Sequence, residues 1–61
     1  MNLRTNEKFK VVAVAPSGAS KVVAKSVGAF KATRLFHAIK AKGFDAVVRN
    51  VTTGVVLVLE D

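Results

Sequence analysis

Two valine-rich stretches, each doubled back by a three-residue turn that ends in glycine, limit this chain to very few folds. The first runs from Lys8 to Ala15 and from Lys21 to Val27, around Pro16-Ser17-Gly18. Proline presets φ at the second position of a turn, and glycine supplies the left-handed residue that lets the chain return. The second joins Ala46 to Val51 with Val55 to Leu59 around Thr52-Thr53-Gly54. Valine favours the pleated strand, so each stretch reads as a β-hairpin.

Between the hairpins lies a single helical stretch. Ser26 is the expected N-cap, and Gly43, following Lys40 and Lys42, is the expected stop. At 100° per residue, Ala29, Ala32, Leu35, Phe36 and Ile39 share one face, the one expected to pack on a sheet. Gly28 either weakens the helix start by up to ~1 kcal/mol or permits close backbone approach. The predicted order is β-β-α-β-β. This is an α+β fold, a four-stranded and mainly antiparallel sheet with one helix on one face. A single domain is expected over residues 8–61, after a short flexible arm over residues 1–7.

A domain of 61 residues buries only ~60% of its unfolded surface. There is no cysteine to reinforce a small core, yet 51% of the residues are apolar. That is too apolar for a disordered basic tail. Strand alternation suggests where the excess goes. If the charges point away from the helix, the covered sheet face holds Phe9, Val11, Ala13, Val22, Ala24, Ala46 and Val48. The other face then carries Val12, Val14, Val23, Val27, Val47 and Val51. Val56 and Val58 join them if Val55, Leu57 and Leu59 point inward. Such a valine field predicts a cover, most simply a second copy across a twofold axis, giving a homodimer. The plainer alternative is that valine merely satisfies strand propensity on a tolerable surface.

Charge points to a partner rather than to a reaction. From Lys8 to Phe44 there are eight lysines and arginines and no carboxylate, within a chain of net charge +6. Such a surface attracts polyanions over about a Debye length, ~8 Å at physiological salt. His37 is the only histidine, and the acids Glu7, Asp45, Glu60 and Asp61 sit at segment ends. No nucleophile–base–orienter set is visible, so no catalytic residue is expected. No metal site, cofactor or small-molecule substrate is expected either. The stretch Ala13 to Lys21 superficially resembles a phosphate loop, but its first glycine is alanine and no lysine follows Gly18. Apolar runs of five residues are too short to span a membrane, which needs ~20, or to form a signal core. A cytoplasmic protein is the expectation.

Two candidate surfaces remain. At the junction of Lys25, Ser26 and Gly28, helix amides beside Lys25 and Lys31 could receive an anion; an ordinary capped helix start is the simpler account. On the outer helix face, Phe30, Arg34, His37 and Ala41 fall at i, i+4, i+7 and i+11, flanked by Lys31, Thr33 and Ala38. Arginine beside an aromatic is a hot-spot composition. The alternative is that Phe30 folds back onto the preceding strand. Lys40 and Lys42 extend this basic surface, and Lys8, Lys10, Lys21 and Arg49 supply secondary contacts.

With no tyrosine or tryptophan, a base-stacking sheet platform is disfavoured and phosphate contacts should dominate. The leading expectation is therefore a non-catalytic homodimer binding DNA or RNA through phosphates. The alternative is a protein-interaction module that docks on an acidic surface of a larger enzyme. It would be a small inhibitor or adaptor, of which a phage-type accessory protein is one example.

Overall fold

A computed structural model describes residues 7–57 and residue 59 of the chain. The expected arm, apart from Glu7, and Val58 therefore lie outside the described residues. The elements are β1 (Phe9–Val14), β2 (Ser20–Val27), α1 (Ala29–Ala41), β3 (Asp45–Asn50) and β4 (Val56–Leu57). All strand pairs are antiparallel, in the order β2-β1-β3-β4, and α1 lies over β1 and β3. The α+β fold and its β-β-α-β-β order are those the sequence predicts.

Local chemistry explains the turns. In the first hairpin the Gly18 N–H donates to the Ala15 carbonyl at 2.8 Å, and the Ala15 N–H to the Ala19 carbonyl at 2.8 Å. Gly18 takes φ +97°, the left-handed residue that a three-residue hairpin loop requires. The helix ends in a Schellman arrangement about Gly43, at φ +88°. There the Phe44 N–H reaches the Ile39 carbonyl at 3.3 Å and the Gly43 N–H reaches that of Lys40 at 3.0 Å.

The core lies between α1 and the two central strands. Phe9, Val11, Ala13 and Val48 from the sheet meet Ala32, Phe36 and Ile39 from the helix, all buried. Leu35 is half-buried at the edge of this contact, and Ala29, expected inside, is exposed. Leu57 pairs with Val48 and so joins the covered face, whereas Val56 pairs with Arg49 on the open one. Leu59 also packs on the core.

Two sequence expectations fail in β2. Ser26 is not the N-cap: β2 continues to Val27, which pairs with Phe9, and the cap is Gly28, with no side-chain hydrogen bond. The cause is the sheet, which holds the chain extended past the serine. The second failure is the assignment of faces. The β1–β2 register shifts between Phe9 and Val11, and again between Val11 and Val12. Such bulges reset which side chains point where. Val22 consequently lies opposite Val12 on the open face, Val27 packs against the core, and Lys21 lies opposite Ala13. The open valine field thus loses Val27 and gains Val22, and by register it includes Val12, Val14, Val22, Val47 and Val56.

Candidate binding surface

Because α1 is 13 residues long, it spans about 20 Å, enough to cross the two strands beneath it. Its contact with β2 is slight, and six of the eight β2 residues are exposed. A single helix cannot cover four strands, so the β2 side of the covered face stays open. A trough of about 410 Å³ runs there, between Leu35 and Ala38 on the helix and Val22 and Val23 on the strand. Lys21, Lys42 and Phe44 border it as well. A second hollow of about 540 Å³ continues from Leu35 and Ala38 towards Phe30, Lys31 and Arg34.

Phe30 is 79% exposed, the most exposed large apolar residue among the described residues. It does not fold back onto the preceding strand. It stands one helical turn from Arg34 and next to Lys31, so an aromatic ring in water is flanked by two exposed cations.

The structure divides the expected helix surface in two. Lys42 borders the trough beside β2, whereas Phe30, Lys31 and Arg34 border the second hollow, which no β2 residue lines. His37 is exposed two turns on from Phe30, with its ring edge-on to Phe36 at 5.4 Å between centroids. Lys40 is occupied by the fold: its Nζ lies 3.5 Å from Asp45 Oδ1 and 5.9 Å from the centre of the Phe36 ring. Asp45 Oδ1 also accepts the Ala46 N–H at 2.9 Å. Among the described residues the only acids are Glu7 and Asp45, so the sole acid between Lys8 and Leu57 is committed to Lys40.

The remaining candidates are distributed around the molecule. Lys25 and Ser26 are exposed near the end of β2. Gly28 opens the helix with no acid in the first turn and open space where a Cβ would stand. Many exposed helix starts share that geometry, and it singles out no ligand. Lys8 is exposed, and its carbonyl accepts the Val51 N–H at 3.0 Å. Lys10 and Arg49 lie directly opposite each other across β1 and β3 on the open face, both exposed.

The sequence reading missed the trough. Its signal was the count of elements, since one helix layers over about two strands and leaves a third uncovered. Asn50 was missed as well. It is 8% exposed, and its Oδ1 accepts the N–H groups of Thr52 at 2.8 Å and Thr53 at 3.0 Å. Its role is to build the second turn. No helix among the described residues is long and apolar enough to cross a membrane, and none of them group as metal ligands. Comparison with protein-family models, with curated proteins and with solved structures finds no match.

Proposed function

We propose that this chain is a non-catalytic protein-interaction module that docks on an acidic surface of a larger protein through the exposed side of α1, from Phe30 and Arg34 towards the trough beside β2. Phe30 carries the reading. A phenylalanine 79% exposed costs solubility, and Lys31 and Arg34 beside it give an acidic partner both an apolar anchor and charge complementarity. Phosphate contacts need the cations but leave the ring unexplained. An inhibitor or adaptor acting in the cytoplasm fits this chemistry, and the positive field would speed encounter.

The test is a pull-down from lysate of the source organism, run with nuclease and repeated with Phe30→Ala. An acidic protein captured by the wild-type chain and lost with Phe30→Ala supports the reading. Captured material that vanishes with nuclease overturns it.

A second reading, binding of DNA or RNA through phosphates, is favoured by the Lys10–Arg49 pair. Like charges directly opposite on a sheet destabilise it, and a phosphate between them would relieve the repulsion. In that case oligonucleotide affinity should fall steeply with salt and be insensitive to Phe30→Ala. In either reading we propose a homodimer through the open valine face, with Lys10 and Arg49 at its rim.

A further inference from the structure

We infer that the trough between α1 and β2 seats an acidic amphipathic helix of the partner, which completes the helix layer this chain leaves half-built. The inference rests on the docking reading above and names the element that docks.

Layer geometry sets the shape of the occupant. Neighbouring strands lie ~4.8 Å apart, so the axis of a helix centred over β1 and β3 is displaced sideways from β2 by about 7 Å. Packed helices stand ~8–10 Å apart, so a helix laid beside α1 would rest above β2. An added strand would instead pair with the free edge of β2 and leave the trough uncovered. Ala38, small and exposed, allows close helix approach, while Leu35 and Val23 offer apolar contact. Aromatic residues stand near both ends of α1, Phe30 at the start and Phe44 beyond the last turn. The distance from residue 30 to residue 42 is about 18 Å, which suits an occupant of some three turns.

Charge sets its composition. Lys31 and Arg34 border one end of the surface and Lys21 and Lys42 the other, and no described acid lines it. A second copy of this chain would set lysine against lysine. A nucleic acid would meet the cations but leave the apolar floor in water. A narrow leucine stripe flanked by glutamates satisfies both requirements.

The experiment is an amide NMR titration of the full chain with a helical peptide carrying a leucine stripe flanked by glutamates. A peptide with lysine for glutamate and duplex and single-stranded oligonucleotides serve as comparisons. The expected result is saturable shifts at Lys21, Val22, Val23, Leu35 and Ala38 with the acidic peptide only. Ala38→Glu should weaken that binding by about tenfold or more, through bulk and like charge, with thermal unfolding unchanged because Ala38 is exposed. Acidic-peptide binding that centres on Phe30 and ignores Ala38→Glu overturns the inference but leaves the docking reading standing. Oligonucleotide shifts in place of peptide shifts, or no peptide shifts at all, overturn both.

Discussion

Asn50 shows how one side chain can decide a turn. Its Oδ1 accepts two backbone N–H groups, its own carbonyl accepts the Gly54 N–H at 2.8 Å, and its N–H donates to Val55 at 2.8 Å. Asn50→Ala removes the side-chain acceptor and strands two part-buried donors. The expected loss is about 1–3 kcal/mol, read by urea unfolding. Asn50→Asp keeps the acceptor and should lose much less. Gly28 offers the opposite case. Its φ of −67° and ψ of 168° suit any residue, and a Cβ there meets nothing within 4 Å. Gly28→Asp should therefore stabilise the chain by about 0.5–1 kcal/mol, through a cap hydrogen bond and the helix dipole, seen as a higher Tm. At this scale the sequence was partly readable. Gly18, Gly43 and Gly54 all take the positive φ their turns need. Asn50 ahead of Thr-Thr-Gly was a legible signal for a side-chain turn that a search for charge and chemistry passed over.

Hairpins and helix were legible because their boundaries depend on local chemistry. Pro16 to Gly18 closes one hairpin, Thr52 to Gly54 the other, and Gly43 stops the helix whatever the rest of the chain does. The faces of β2 were not legible. A run such as Val22-Val23-Ala24 satisfies either face, so nothing in it marks the residue at which the register slips. Ser26 carried a valid capping signal, but pairing of Val27 with Phe9 overrode it. The candidate site inherits both errors, because its strand wall is the segment whose register slipped. Register on the other side of β1 is regular and supports a prediction. Arg49→Glu turns the repulsive pair with Lys10 into an attractive one and should stabilise the fold by about 0.2–1 kcal/mol in chemical denaturation. If phosphates bind there, the same change should weaken oligonucleotide binding.

At the scale of the molecule, a charge of +6 on 61 residues implies self-repulsion. Raising salt towards about 0.5 M should raise Tm by screening it, while weakening any acidic partner. The proposed dimer makes its own prediction. Val47→Lys places a cation at the β3 end of the row formed by Val22, Val12 and Val47. Sedimentation should then show monomer where the wild-type chain shows dimer. A wild-type chain that sediments as a monomer at high concentration would remove the dimer from the account. The strand order also has a consequence for how the protein is made. β1 lies between β2, which follows after a short turn, and β3, which arrives only after the whole helix. At ~5–20 residues per second, the ribosome leaves β1 with one bare edge and Val11 uncovered for a matter of seconds. A released chain truncated before residue 45 should therefore be sticky and protease-sensitive, and one that runs past residue 57 should not. The strand around which the mature sheet is ordered is the one whose folding must wait longest.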